Sequence, residues 1–149
     1  MDIKPRQLEI IEAAGQLVTE DGFAALTTKR LAERMHFTEA ALYRHFASKE
    51  EILVTMLHHL AANIDERLAA VAEAHPEPVE RVRAMFDNQF TYFQKNPQYL
   101  MAIFATGVLE ASHGIDAGIE RIMVVKRRHL LNAIKEDRKS TRLNSSHLN

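Results

Sequence analysis

The sequence predicts an all-α fold, and two features carry that prediction. Alanine, leucine, glutamate and arginine fill long stretches that only five glycines and four prolines interrupt, and these residue types favour helices. Apolar residues recur at three- and four-residue spacing, which is the period of one face of a helix. Because 46 % of the 149 residues are hydrophobic and 26 % are charged, we expect a globular chain with a core of ordinary size.

Three helices are predicted near the amino terminus. The first begins at Pro5, which suits a first turn, and ends before Gly22. The second follows the threonine pair at Thr27 and ends at Met35. The third, which we call the recognition helix, is capped by Thr38 and runs to Phe46, and its apolar side chains are expected to face the core. The residues expected to be more exposed are Glu39, Ala40, Tyr43 and Arg44.

Longer helices are predicted after these three. A capping box formed by Ser48 and Glu51 starts a helix whose apolar stripe runs to residue 71, before the segment 75–78 interrupts it. A second stripe covers residues 79–93, and a shorter apolar segment covers 99–109. We interpret residues 112–114 as a loop. A last helix over 115–134 is expected to carry Lys126-Arg127-Arg128 as a solvated segment near its end.

The final segment differs from the rest. Residues 137–147 are polar and aperiodic, and they resemble the translation of a sequencing adapter. We therefore treat residues 137–149 as an artefactual tail and leave them out of the fold prediction. The expected organisation is residues 1–49 as one domain and residues 50–136 as a second, partial one.

The composition also limits the classes of function. There is no cysteine for a disulfide or a thiolate metal site, and no apolar run long enough for a signal peptide or a membrane span. A cytoplasmic location without membrane contact is expected. The net charge is −1, so any affinity for nucleic acid has to come from a local patch.

Residues 28–46 have the parts of a helix-turn-helix: two short helices, a tight turn, an apolar contact between them and an exposed face on the second helix. Between residues 29 and 49 there are five basic and two acidic side chains, a local excess of three. The sequence therefore predicts a positive patch on a nearly neutral chain.

At this point the chain resembles the TetR (TetR/AcrR) family of transcriptional regulators, over about residues 6–55. The segments that carry the resemblance are Gly22-Phe23, Leu26-Thr27-Thr28, Leu31-Ala32-Glu33-Arg34 and Ala41-Leu42-Tyr43-Arg44-His45-Phe46-Ala47-Ser48-Lys49-Glu50-Glu51-Ile52-Leu53. The resemblance implies a three-helix helix-turn-helix DNA-binding module followed by a partial antiparallel helical regulatory domain. It also implies a homodimeric repressor that binds a palindromic double-stranded DNA operator and is released by a small apolar effector.

Carried over position by position, the resemblance implies a set of DNA-binding residues. The implied phosphate contacts are Thr28, Tyr43, His45 and Lys49. The residues implied near base edges or adjoining phosphates are Lys29, Thr38, Glu39, Ala40 and Arg44. Hydroxyls and an ammonium suit phosphate oxygens, whereas a guanidinium can engage a guanine with two hydrogen bonds.

Two positions depart from the family pattern, which has glycine at both. His36 stands in the turn, where it tolerates a left-handed backbone less well than glycine does. Ala40 stands in the recognition helix and should stiffen it. We expect the turn to survive with some strain.

The resemblance also implies an effector pocket in the second domain, lined by Phe86, Phe90, Phe93, Met101 and Phe104. An aromatic stripe at helical spacing is as readily a packed core, so both interpretations stay open. His58, His59, His113 and His129 lack a completing carboxylate set at helical spacing, and neither a metal nor another cofactor is expected.

Two alternatives to the repressor remain. A helical adaptor of the same fold would make protein contacts without binding DNA. A small helical enzyme would use His113 or His129 as acid and base, but no nucleophile, phosphate-loop or metal motif supports it, and no catalytic residue is assigned. Because the family's dimer interface lies in later helices that the chain is expected to lack, dimerisation of this chain is doubtful.

Overall fold

The structure is a computed structural model that describes residues 2–105 and 112–146, with the backbone alone at 105 and from 136 onward. Seven α-helices and no strand occur among these residues, which confirms the all-α prediction. The helices are α1 (Pro5–Asp21), α2 (Thr28–Met35), α3 (Glu39–Tyr43), α4 (Lys49–Ala74), α5 (Pro78–Lys95), α6 (Pro97–Ala105) and α7 (His113–Ser146). No helix of the described part is long and apolar enough to cross a membrane.

The amino-terminal helices begin at the residues that the sequence indicates. The hydroxyl of Thr27 accepts a hydrogen bond from the Arg30 amide at 3.2 Å, and Thr38 caps α3 in the same way. Ser48 caps α4, and the carboxylate of Glu51 reaches back to the Ala47 amide. Each cap satisfies an amide that the helix itself leaves without an acceptor, so these starts are fixed locally.

The recognition helix α3 is shorter than the sequence suggests, because it ends at Tyr43 rather than at Phe46. The amides of Arg44 and His45 bond to carbonyls only three residues earlier, at 3.3 and 2.9 Å. Such bonds tighten the last turn and lead out of the α-helix. Phe46 therefore enters the core from the turn after α3.

One core joins both parts of the chain, and α4 runs through it. Leu26, Leu31, Leu42 and Phe46 pack with residues of the first turns of α4, and the cluster continues along α4 to Leu68. The predicted stripe on α4 is confirmed at its buried positions Leu53, Leu57, Leu60, Ile64 and Leu68. We call helices α5 to α7 the body. Helix α4 is thus shared by the amino-terminal helices and the body.

The prediction of a loop at residues 112–114 is wrong, because α7 starts at His113. The Ser112 hydroxyl accepts from the Ile115 amide at 3.2 Å and caps the helix. Gly114 lies inside the first turn, where an added Cβ would be 3.0 Å from a methyl of Val54. Gly118 meets Leu57 at the same distance. Because these glycines have no Cβ, α7 can approach α4 closely at both positions. Neither glycine ends a helix.

The helix expected over 115–134 also continues further than predicted, to Ser146, and includes part of the segment treated as a tail. Residues 147–149 lie outside the described part, as do 106–109 of the apolar segment expected over 99–109. The expected solvated end at residues 126–128 lies in the middle of α7 instead. Arg128 contacts Asp65 of α4 at 2.5 Å there.

The stripe expected on α5 is only partly buried. The buried positions of this helix are Arg81 and Met85, whereas Val79, Phe86 and Phe90 are exposed. Arg81 donates to the carbonyls of residues 75 and 76 at 2.8 Å, just after α4 ends. The face of α5 that packs on the core thus includes Arg81 and Met85 and leaves part of the predicted apolar stripe exposed.

Candidate nucleic-acid interface

The turn between α2 and α3 adopts the left-handed conformation that the sequence indicates. His36 has φ 58° and ψ 35°, and it is the one residue other than glycine with positive φ in the described ranges. The Phe37 amide bonds to the Ala32 carbonyl at 2.8 Å, which satisfies the carbonyl at the end of α2. This geometry sets the angle between the two helices.

The recognition helix has one buried and one exposed side. Leu42 is fully buried, and so is Leu31 of α2, which belongs to the same core cluster. Glu39, Ala40, Tyr43 and Arg44 are all exposed, as predicted. A short helix that packs on the core through one side and exposes polar groups on the other is the arrangement that enters a DNA major groove.

Three of the predicted site residues form a hydroxyl cluster. The Tyr43 hydroxyl donates to the Thr28 hydroxyl at 3.3 Å, and Thr28 donates to the Glu39 carboxylate at 3.4 Å. The cluster joins the start of α2 to both ends of α3. Both bonds are long, so a phosphate oxygen can replace either acceptor at little cost.

His45 and Lys49 are less free than the sequence suggests. The His45 ring stacks on Phe37 with 6.1 Å between centroids, and its carbonyl accepts from the Gln7 side chain at 3.1 Å. The Lys49 ammonium lies 5.2 Å from the centre of the Phe23 ring, and burial lowers its pKa. Sequence reasoning missed Gln7, whose bond fastens the end of the recognition segment to α1.

Two of the five basic residues between positions 29 and 49 are used in ion pairs within the protein. Arg30 contacts Asp21 at 2.7 Å, and Arg34 pairs with Glu20, which lowers the pKa of the Glu20 carboxyl. Lys29 and Arg44 are exposed and make no ion pair with the described residues. The cations available to DNA are therefore fewer than the sequence count implies, and they flank the recognition helix.

The predicted effector residues are not brought together into one cavity by the described part of the chain. Phe86 is 61 %, Phe90 72 % and Phe104 73 % exposed, whereas Phe93 and Met101 are partly buried against the core. A cavity lined by all five would require further structure over the exposed face.

A groove of the described part lies elsewhere, between the amino-terminal segment, α1, α4 and α7. Its volume is about 990 Å³, and its walls include His58, His59, Asp65 and Arg121. No group of three or more possible metal ligands occurs among the described residues. His129 contacts only Asp65 among the carboxylates there, at 2.7 Å.

Comparison with known proteins gives a family match for the helix-turn-helix segment. Residues 10–56 match the model described as bacterial regulatory proteins, tetR family. The nucleoid occlusion factor SlmA of Aliivibrio fischeri strain MJ11 is 28 % identical over 93 residues, which are 62 % of this chain and 47 % of that protein. The Vibrio vulnificus strain YJ016 protein of the same name is 29 % identical over the same shares. The match thus spans about half the length of these relatives.

Solved structures share the fold over most of the chain. The TetR-family transcriptional regulator PfmR of Thermus thermophilus has a TM-score of 0.68 at 25 % identity, covering 89 % of this chain and 71 % of that one. The fatty acid degradation regulator FadR of Bacillus halodurans has a TM-score of 0.74 at 14 % identity, over 92 % and 72 %. FadR of Thermus thermophilus, solved with lauroyl-CoA, has 0.65 at 20 % identity, over 91 % and 69 %. Residues 10–56 are thus similar to the amino-terminal domain of the tetR family of bacterial regulatory proteins, and the described helices share the fold of TetR-family regulators.

Proposed function

We propose that the protein is a sequence-specific DNA-binding transcriptional repressor. The observation that carries the proposal is the exposed face of α3, where Tyr43 and Arg44 project from a helix held by the buried Leu42. The hydroxyl cluster and Lys49 supply phosphate donors at its edges. Arg44, which makes no ion pair with the described residues, can read a base edge with two hydrogen bonds.

In the proposed regulator two copies bind one operator. Helix-turn-helix dimers place their recognition helices in successive major grooves, about 34 Å apart, and their operators are palindromic for that reason. The helix α4 runs from the residue after Ser48 into the body. A shift of α4 would therefore change the separation of the two α3 helices, which is how an effector would release the DNA.

Selection from random double-stranded DNA, followed by gel retardation of the enriched sequences at moderate salt, tests this function. We expect one enriched motif, and a repeat of the same half-site in inverted order would show that two copies bind together. Substitution of Arg44 by alanine should remove retardation or broaden the motif. The matched change Arg83→Ala, at an exposed position of α5, should do neither. No enriched motif would leave the helical adaptor as the better hypothesis.

A second candidate comes from the names of the curated relatives, which are nucleoid occlusion factors. Such a protein would use the same DNA interface without acting on promoters. Mapping the bound sites on the chromosome distinguishes the two: sites next to gene starts support the repressor, and sites distributed without regard to promoters support the second candidate.

A further inference from the structure

Arg67 of α4 carries a charge with no carboxylate partner among the described residues. Its Nε donates to the Asn63 side chain at 2.6 Å, and one terminal amino group donates to Asn88 and, at 3.0 Å, to Gln89 of α5. The three acceptors are neutral amides, which fix the guanidinium without neutralising it. Burial lowers the pKa of Arg67, as expected for a cation withdrawn from water without a counter-charge.

Two donors at this place have nothing to donate to within the described part of the chain. They are the second terminal amino group of Arg67 and the amide nitrogen of Gln89, and both atoms are buried. Gln89 is already bonded to Arg67 through its oxygen, so the two donors belong to one site. Buried donors are nearly always satisfied in proteins, so an unsatisfied pair is a place where an acceptor from outside the described chain can bind.

The surroundings of the two donors are aromatic. The guanidinium carbon lies 3.8 Å from the centre of the Tyr92 ring, which in turn stacks on Tyr99 and meets Phe93 edge-on at 6.0 and 5.9 Å. Lys126 of α7 lies 5.8 Å from the centre of the Phe93 ring. Burial lowers the pKa of Lys126, and it too has no ion pair with the described residues. Two cations and an apolar wall therefore meet at α4, α5 and α7.

We propose that Arg67 and Gln89 bind the anionic head group of an amphipathic ligand, whose apolar part lies against Tyr92 and Phe93. The head group is a carboxylate or a phosphate, since both present the anionic oxygens that a guanidinium and an amide bind together. The inference rests on the proposed function, in which the body accepts an effector, and it adds that the effector is negatively charged.

Access to the site links binding to regulation. Both donor atoms are closed off from solvent, so a ligand reaches them when α5 moves away from α4. The same α4 continues to Lys49 beside the recognition segment. Occupancy of the site is thereby coupled to the orientation of the DNA-binding helices.

Calorimetric titration of the full chain with three probes of the same carbon number tests the inference: dodecanoate and dodecyl phosphate below their micelle concentrations, and dodecanol below its solubility limit. We expect one or both anions to bind at least about 10-fold more tightly than dodecanol, as one charge-assisted contact provides. The exposed phenylalanines Phe86, Phe90 and Phe104 should bind the three tails alike, so their contribution cancels in this ratio. A carboxylate head and a phosphate head are told apart by which anion binds more tightly.

The preference for an anionic probe over dodecanol has to depend on Arg67 and Gln89. Arg67→Met should bring the ratio of affinities close to one, and Gln89→Leu should lower it to an intermediate value with circular dichroism unchanged. Arg83→Met, an exposed arginine of α5, should leave it as in the unaltered chain. A ratio near one in the unaltered chain, or a preference that survives both Arg67→Met and Gln89→Leu, overturns the inference.

The test also separates this inference from the proposed function. Arg67→Met should still retard the selected DNA, but the preferred anion should no longer release it. Retarded DNA together with a chain that shows no anion preference rejects the ligand site alone. Arg67-dependent anion binding by a chain that selects no DNA rejects the repressor and leaves the ligand site in place.

Discussion

The helix-turn-helix and the body bury their large side chains to very different extents. In the first, Leu31, Leu42 and Phe46 have almost no contact with solvent. In the body, Phe86 and Phe90 on α5 are largely exposed, and so is Phe104 of α6. The difference shows that the amino-terminal helices complete their core with α4, whereas the body leaves apolar surface that the described helices do not cover.

The largest expected effect tests this difference directly. Phe46→Ala should lower the free energy of unfolding by about 3–5 kcal/mol, because it leaves a cavity in a closed core. Phe90→Ala should change it by no more than about 0.5 kcal/mol, because the ring is mostly in solvent already. Urea denaturation followed by circular dichroism measures both. Similar losses for the two variants would mean that the body is as closed as the helix-turn-helix.

A second prediction concerns DNA rather than stability. Arg44→Ala should weaken binding to the selected site by about 1–3 kcal/mol and relax the preference at one base position. Tyr43→Phe removes one hydroxyl, and it should weaken binding to the selected site and to its single-base variants by the same factor. Gel retardation with the selected site and with single-base variants measures both. A uniform effect of Arg44→Ala would assign that side chain to a phosphate.

A third prediction concerns the left-handed turn at His36. A β-branched residue is poorly accommodated at φ 58°, so His36→Ile should destabilise the chain by about 1–2 kcal/mol. His36→Gly should cause no comparable loss, since glycine adopts this conformation freely. Thermal unfolding of the two variants supplies the test, and equal stability would show that the turn rearranges.

The smallest expected effect concerns the contact between α4 and the body at Asp65. Hydrogen bonding to His129, and then to Arg128, holds the pKa of Asp65 below its ordinary 3.8, while partial burial opposes the shift. Because the folded-state pKa is depressed, the stabilisation is present above pH 3.8 and is lost as the pH falls through the folded-state value.

Asp65→Asn should therefore lower stability at pH 6 and have a diminishing effect toward pH 3. The side chain is 41 % exposed, so the loss at pH 6 should not exceed about 1 kcal/mol. Asp87→Asn on the exposed side of α5 is the matched control and should show no such pH dependence. Melting temperatures measured at both pH values for the two variants decide this point.

The features that the sequence predicts well are those with local causes. The caps at Thr38 and Ser48 and the left-handed turn at His36 depend on residues within one helical turn, and all three are found. The interpretation of Gly114 as part of a loop is wrong because its partner is Val54 in another helix. A glycine needed for close helix packing and a glycine that ends a helix look the same in a sequence.

The site residues fall into the same two groups, those with local causes and those that depend on packing between helices. The exposed face of α3 follows from the motif, but the ion pair between Arg30 and Asp21 depends on where α1 ends in space. Arg67 gives no signal except Asn63, four residues earlier on the same helix face. Its contacts with Asn88 and Gln89 come from the packing of α5 on α4, which no pattern within one helix reports.

The sharing of α4 by both halves bears on how the molecule can be divided for experiments. Ile52, Leu53 and Met56 belong to the same buried cluster as Phe46. A fragment cut at residue 49, the predicted end of the first domain, would lose these side chains and expose the buried side of the recognition helix. An autonomous DNA-binding fragment has to keep at least the first turns of α4, and its boundary is set by packing and not by the motif.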